Sequence, residues 1–281
     1  YRQKWWSYRV SPMSRAQLTR AAGITLFHIL LILVLWQGTT SKDWLAFCLV
    51  YPFAAIGVGV GMHRYFAHRS FETSRAFQLF LALSASLAFG NAPHFAGKHK
   101  LHHRHSDTDL DVHTPRQGLW QCWIGSLIDC GYTQQAIENE IPEYLQYPEI
   151  DFLYRHPHLP GILLCVVLYL WGGLGTMVIG GLLSSILLLH QSSAVNYFCH
   201  SRGSRRFKTR DNSSNNALVA LLSFGEGWHN NHHRCPRSAR AGFTWWELDP
   251  YYWTICLFEY LGLVWAVRRP TLARITAAAS A

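Results

Sequence analysis

No Asp, Glu, Lys or Arg occurs between Gly161 and Asn196, and Gly172, Gly173 and Gly175 sit in the middle of that apolar run. A helix crosses the ~30 Å hydrocarbon layer of a bilayer with roughly 20 apolar residues. The run is therefore long enough for two tilted crossings, 161–176 and 178–196, joined by a tight glycine turn. Ala21 to Gln37 and Trp44 to Met62, separated by Gly38–Asp43, make a second hairpin of the same kind. With 15% charged residues, against about 25% in ordinary soluble domains, the chain reads as an all-α integral membrane protein. Its four transmembrane helices form two hairpins over approximately 21–37, 44–62, 161–176 and 178–196. No linker, repeat or low-complexity segment divides it, so 1–281 reads as a single domain.

Charge orients the hairpins. Residues 1–20 carry Arg2, Lys4, Arg9, Arg15 and Arg20 and no acid, with Trp5, Trp6 and Tyr8 among them, which suits a cytoplasmic interfacial anchor. Arg64, Arg69 and Arg75 follow the first hairpin, and Arg202, Arg205, Arg206, Lys208 and Arg210 follow the second; the loops on the far side hold at most Lys42 and Asp43. By the positive-inside rule the ends of both hairpins face the cytoplasm. Phe77 to Gly90 is short and rich in Ala and Ser, and reads as a helix packed under the cytoplasmic part rather than a crossing. The aromatic stretch 250–267 reads as an interfacial helix, since Asp249 and Glu259 interrupt its apolar character. A formal charge of +9 attracts anionic lipid or an acidic protein. No nucleic-acid-binding motif accompanies the charge, so nucleic acid is not expected as a partner. The seven cysteines include no CxxC pair and read as reduced thiols.

The chemistry lies in histidines. Gly225–His233 places His229, His232 and His233 at the i, i+3, i+4 spacing of one helical face, and His99, His102 and His103 repeat it. His63 and His68 stand five apart directly after the second span. On a regular helix five residues turn about 140°, so both rings reach one site only if the helix ends or bends there, or if they serve two metals. Asn196 and His200 share a face at the end of the last span. Asp107, Asp109 and Asp111 follow the second box, positioned to orient ligand histidines through their free ring N–H groups. His94, His105 and His113 lie outside the box spacing and read as outer or surface residues; His28, alone in the first span, reads as packed or hydrogen-bonded.

Nine histidines exceed the four to six ligands one ion takes, so two metals are the natural count. Nitrogen-rich coordination with room for oxygen suits iron, whose biological uses include activating O2 against C–H bonds. All these groups fall on one cytoplasmic side, where helices leave the bilayer. A metal centre there can receive an apolar chain whose polar head stays in the cytosol.

At this point HRYFAHRSF, HKLHHRHSDTDLDVHTP, the Asn196-to-His200 spacing and GEGWHNNHHRCPRSARAGFTWWELD resemble the histidine boxes of the integral-membrane fatty acyl desaturases. They are most like bacterial and cyanobacterial members related to stearoyl-CoA desaturase. The resemblance spans roughly residues 40–270, and three boxes with matching flanks are highly specific. It implies a mushroom-shaped helical protein of four spans with a cytosolic helical cap holding a di-iron site. It implies His63, His68, His99, His102, His103, His200, His229, His232 and His233 as iron ligands, Asn196 as holder of a metal-bound water, and O2 as co-substrate. Two tryptophans of the stearoyl-CoA desaturase relatives are missing: Pro93–Gly97 stands before the second box, and Ser193 stands three residues before Asn196. In the family those aromatics help bend the acyl tunnel, so the position of the double bond stays open.

The expected activity is insertion of a double bond into the acyl chain of a thioester (CoA or acyl carrier protein) or of a lipid. Hydroxylation, acetylenic bond formation and oxidative decarboxylation to an alkene are alternatives on the same scaffold. A metal transporter would instead need ligands near mid-membrane, where only His28 and His190 occur. No haem-binding His-Pro-Gly-Gly segment is present, so electrons are expected from a separate ferredoxin or b-type cytochrome with its reductase. Overexpressed protein can carry zinc in place of iron, because zinc binds nitrogen sites tightly. The expected location is multi-pass in a membrane, the inner membrane if the source is bacterial, with the metals on the cytoplasmic face.

Overall fold

The structure, a computed structural model, describes residues 13–271; the basic and aromatic residues expected as an anchor before Met13 lie outside that range. Helix α1 (Arg15–Gln37) starts in a capping box, Ser14 and Gln17 each bonding the other's backbone N–H, and stops at Gly38, whose φ of 95° only glycine adopts freely. Helix α2 (Ser41–Ile56) starts in a second capping box between Thr40 and Asp43. It continues without a break as a π-helix over Gly57–Ala67. Gly57 is required at that junction: a Cβ there would stand 2.1 Å from the backbone nitrogen of Ala85. The backbone of α3 (Arg75–Ser86) thus lies directly on the π segment.

Three stretches are long and apolar enough to cross a membrane: Arg15–Gln37, Ser41–Ala67 and Leu159–Phe198. The third is folded on itself. Within α9 (Leu159–Thr176) Gly173 has φ 78° and ψ −164°, which breaks the helix. The returning limb runs as a π segment, Met177–Leu182, into α10 (Leu183–Phe198). Leu168 of the outgoing limb packs against Gly180 and Gly181 of the returning one. The glycine turn expected from the sequence is present, three residues before its expected boundary at 176. At the same end, buried Asp43 accepts a 2.6 Å hydrogen bond from Thr176 Oγ1, and Lys42 Nζ donates to the Trp171 carbonyl, fastening one hairpin to the other. The α1 helix buries only Val34; its exposed Leu, Ile and Trp side chains form the apolar surface that lipid covers.

The main core lies beyond these helices, where α3, the π segment and α4 (Ala92–His105) pack around Phe66, Phe71, Leu81, Tyr144 and Ile255. Helix α3, of 12 residues, is not among the apolar spans. Short helices α5 (Ser126–Ile128), α6 (Gln134–Glu138), α7 (Pro142–Leu145) and α8 (Pro148–Arg155) wrap α4. After α10 come α11 (Ala217–Leu222), α12 (His229–Arg234) and α13 (Pro250–Tyr260). The expected interfacial helix over 250–267 is shorter than the sequence predicts. It ends at Tyr260, Gly262 turns the chain at φ 72°, and β2 (Val264–Trp265) pairs antiparallel with β1 (Glu72–Thr73). That pairing is almost the whole of the sheet among the described residues.

Candidate metal centre

The π winding and its end resolve the five-residue step of the first box: His63 lies in the π segment, which stops at Ala67, and His68 caps it, its backbone N–H bonded to the Tyr65 carbonyl. Hydrogen bonds in a π-helix run from i to i+5, so residues five apart return toward the same face. The rings of His63 and His68 lie 4.9 Å apart, centroid to centroid. With His99 and His232 they form a buried set whose ring nitrogens lie within 4.8 Å of one another. His103 joins it: its Nε2 is 3.0 Å from Nε2 of both His99 and His232. A second set, on the same 4.8 Å criterion, comprises His102, His200, His229 and His233. All nine histidines singled out from the sequence are thus in two adjoining groups, and the ring of His103 stacks on that of His233 at 4.4 Å between them.

Each i, i+3, i+4 box straddles both groups rather than gripping one ion. His99 and His103 enter the first set and His102 the second; His229 and His233 enter the second and His232 the first. The i, i+4 pair stays together, and the i+3 residue, rotated away from it, reaches the neighbour.

Carboxylates fix which nitrogen faces inward. His63 Nδ1 lies 2.6 Å from Glu226 Oε2, His200 Nδ1 2.8 Å from Asp107 Oδ2, His233 Nδ1 2.6 Å from Asp211 Oδ2, and His102 Nδ1 3.1 Å from Asp111 Oδ1. In each pair the Nδ1–H donates, leaving the Nε2 lone pair free. Burial, reinforced by neighbouring imidazoles, holds His68, His99, His103, His229, His232 and His233 well below the ordinary histidine range, so the rings are neutral. Burial pushes the carboxyls of Asp107, Asp111, Asp211 and Glu226 upward. The hydrogen bonds they accept from their histidine partners, with Arg64 beside Glu226, outweigh it and hold each below its usual value.

Neutral rings with lone pairs pointed at one another repel unless a cation lies between them. Six Nε2 pairs within the two sets stand 2.9 to 3.1 Å apart, and His102 Nε2 is buried with no hydrogen-bond partner. Metal–imidazole bonds of about 2.1 Å put nitrogens about 3.0 Å apart at right-angle corners and about 3.4 Å apart at tetrahedral ones. The residues therefore fit metal ions, with the closer spacing of five- or six-fold coordination.

The sequence points to Asp107 and Asp111, and the structure uses both; Asp109 is exposed. Glu226 and Asp211 were not singled out. Glu226 stands three residues before His229, the one signal that marks it, whereas Asp211 lies in a basic loop with no periodicity. His113 is not at the surface: it is buried, stacks on His102 at 4.3 Å and donates its backbone N–H to Asp111. His28 and His190, unpartnered in sequence, bond each other through Nε2 at 2.9 Å, and the Trp123 indole N–H donates to His190 Nδ1.

A cavity of about 680 Å³ runs from the metal centre toward the spans. His63, His99, His229 and Asn196 line its inner end, and Phe27, Phe89 and Ile162 its apolar wall. Phe95 stacks on His99 and lines the same space. Ser193 also lines it and donates to the Trp123 carbonyl behind.

Comparison with known proteins agrees with this geometry. The family model described as "Fatty acid desaturase" matches residues 42–266. The chain is 36% identical over 262 residues to "Acyl-CoA C20 Delta5-desaturase" of Anemone leveillei, covering 88% of this chain and 82% of that one. It is 31% identical over 279 residues to "Icosanoyl-CoA 5-desaturase" of Limnanthes douglasii, covering 98% and 76%. It is 36% identical over 224 residues to "sn-1 stearoyl-lipid 9-desaturase" of Anabaena variabilis, covering 79% and 82%.

Proposed function

Since the chain belongs to the fatty acid desaturase family, and is thereby an oxidoreductase of fatty acyl chains, we propose that it inserts a double bond using O2 and two irons. Convergence of nine buried or half-buried imidazoles into two sets carries this reading. His63, His68, His99, His103 and His232 would hold one iron. His102, His200, His229 and His233 would hold the other, with Asn196 contributing through a water. The right-angle nitrogen spacing favours iron over tetrahedral zinc. When bound, the irons supply the oxygen activation that removes hydrogen from adjacent methylenes of an unactivated chain.

The protein's own part is placement. Glu226, Asp107, Asp111 and Asp211 hold the ligand rings in one tautomer. The cavity wall holds the acyl chain against the His99 and His229 end and keeps bulk water from it. The reading includes four crossings in two hairpins, the cap and its metals on the cytoplasmic face, and a separate acidic ferredoxin or b-type cytochrome as electron donor. Hydroxylation, alkene formation and metal transport are not favoured by the desaturase names of the relatives.

The test is paired. Protein expressed with iron should carry about two irons per chain, and fatty acids of a host expressing it should gain one double bond by mass spectrometry. A single zinc that supports turnover, or hydroxylated products alone, would overturn the reading.

A further inference from the structure

A second cavity, of about 280 Å³, lies between α10 and α11. Ala194 and Phe198 form its inner wall and Leu218, Val219 and Leu222 its outer one, with Arg202 at the rim. Gln191 and Ser223 line this slot and the acyl cavity alike, so the two spaces are separated by a wall about one side chain thick. Both wall residues are held aside by hydrogen bonds: Gln191 Nε2 donates to the Tyr51 hydroxyl at 2.8 Å, and the Ser223 hydroxyl donates to the Val219 carbonyl at 2.6 Å.

The wall is built on strained backbone. Phe224, directly after Ser223, has φ 54°, unusual for a bulky residue, and Gly225 follows at φ 109°. Such strain persists where surrounding packing enforces it and is concentrated at moving or functional segments. The outer wall is a six-residue helix whose Leu218, Leu221 and Leu222 are 66%, 63% and 59% exposed. It stands beside α10, the last limb of the apolar hairpin, so bilayer surface is continuous with the slot. The Arg202 guanidinium at the rim has no hydrogen-bond or ion-pair partner among the described residues.

We propose that this slot is a lateral door through which an acyl chain still esterified to a bilayer phospholipid enters the acyl cavity, its phosphate held by Arg202. The apolar walls take the chain, the cationic rim takes the headgroup, and Gln191 is the side chain that must swing off Tyr51 to let it through. This rests on the desaturase reading and narrows it to lipid-linked chains, which a thioester dissolved in water has no need of a side door to deliver.

The test uses the full chain reconstituted in phosphatidylcholine vesicles containing phosphatidylglycerol whose stearoyl chain carries a diazirine, with labelled peptides located by mass spectrometry. Label should appear on the slot and on Met62 and Phe89, which line only the acyl cavity. Ala194→Trp and Val219→Trp, plugging the slot from opposite walls, should each abolish the Met62 and Phe89 label, and Gln191→Ala should increase it. Diazirine stearoyl-CoA added from water should label the acyl cavity equally in the wild type and both plugged variants, which also reports that the cavity is intact. Lipid label confined to the outer surface, or surviving in both plugged variants, would overturn the door; loss of the CoA label as well would overturn its assignment to lipid-linked chains. Labelling needs neither iron nor turnover, so a failed desaturation assay is a separate result.

Discussion

Arg64 is the most informative single substitution, because one buried guanidinium joins the first box, the third box and the start of α13. It is 3% exposed. Nη2 donates to Asp249 Oδ1 at 2.8 Å and to Glu226 Oε1 at 3.2 Å, and Nη1 donates to the Ala239 carbonyl and to Asp249 Oδ2. Asp249 in turn caps α13 at Tyr252 and accepts from the backbone of Ala241 and Gly242, while the other oxygen of Glu226 holds His63. Removing one partner of a buried ion pair costs about 3–5 kcal/mol, because it strands the other charge. Arg64→Met strands two carboxylates, but Asp249 keeps three backbone donors and Glu226 keeps His63, so the low end, about 3 kcal/mol, applies. For a chain of this size about 1 kcal/mol shifts Tm by roughly 2–4 °C, which gives a drop on the order of 10 °C.

The same substitution should weaken iron binding in the first set. Glu226 still accepts from His63 but is no longer held in place by its arginine, so the ring is less firmly oriented, and weakening of such an orienting contact typically lowers metal affinity about 10–100-fold. Arg64→Lys should recover little of either, since an ammonium cannot reach two carboxylates in a fork. Glu226→Ala separates the effects: iron loss should match Arg64→Met while Tm falls less. The assay is thermal unfolding of detergent-purified protein together with iron content at fixed free iron. An Arg64→Met protein within about 2 °C of wild type and with both irons retained would refute the argument.

His200→Ala should remove iron from the second set and abolish turnover in protein that remains folded, whereas His105→Ala, outside both sets, should leave iron content unchanged; equal iron loss in both would dissolve the assignment. Asp211→Asn should lower iron affinity about 10–100-fold through His233, read by titration with a competing chelator. For pH, the buried histidines have folded values below their unfolded value of about 6.5, so below that pH the unfolded chain binds more protons than the folded one and stability falls as pH falls. Iron-free protein should lose Tm steadily below about pH 6.5, and a flat profile from pH 7 to 5 would count against neutral buried rings. For the electron donor, Arg234 and Arg237 are exposed beside the third box, whereas Arg206 is tied to Glu247 and Arg240 to the carbonyls of Gly242 and Thr244. Arg234→Glu with Arg237→Glu should slow donor-dependent turnover strongly at low salt and little at high salt; unchanged salt dependence would move the docking face elsewhere.

What the sequence made legible is what depends on local periodicity. Apolar length located the stretches that form the hairpins, Gly172–Gly175 located the reversal, and helical spacing located seven of the nine histidines that enter the two sets, all but His63 and His68. Local periodicity carries no information about partners brought in by the fold. Asp211 meets His233 only because the loop after α10 folds back over α12, and nothing in its surroundings distinguishes it from a solvated acid. The pairing of His28 with His190 joins residues 162 positions apart. The five-residue step from His63 to His68 is awkward on an α-helix; the chain winds as a π-helix through His63 and ends it at Ala67, so His68 stands on the cap, and the end of the helix there is one of the alternatives that the spacing left open.

The π segment also explains why the two boxes nearest the core can differ in spacing and still serve one ion. An α-helix would hold His63 and His68 on different faces, and the first set would then need a ligand from another element. By widening the turn and ending it at Ala67, the chain brings two candidate ligands, His63 and the cap residue His68, off one continuous helix that begins at Ser41, so the candidate metal site is tied rigidly to a stretch apolar enough to cross a membrane. Gly57, which no side chain can replace without displacing Ala85, and Arg64, which clamps the end of the segment to Glu226 and Asp249, hold the two ends of that unusual winding. Either end released should let the segment relax toward α-helical geometry and turn one of the two imidazoles away, which makes loss of iron from the first set alone the expected signature of both Gly57→Ala and Arg64→Met.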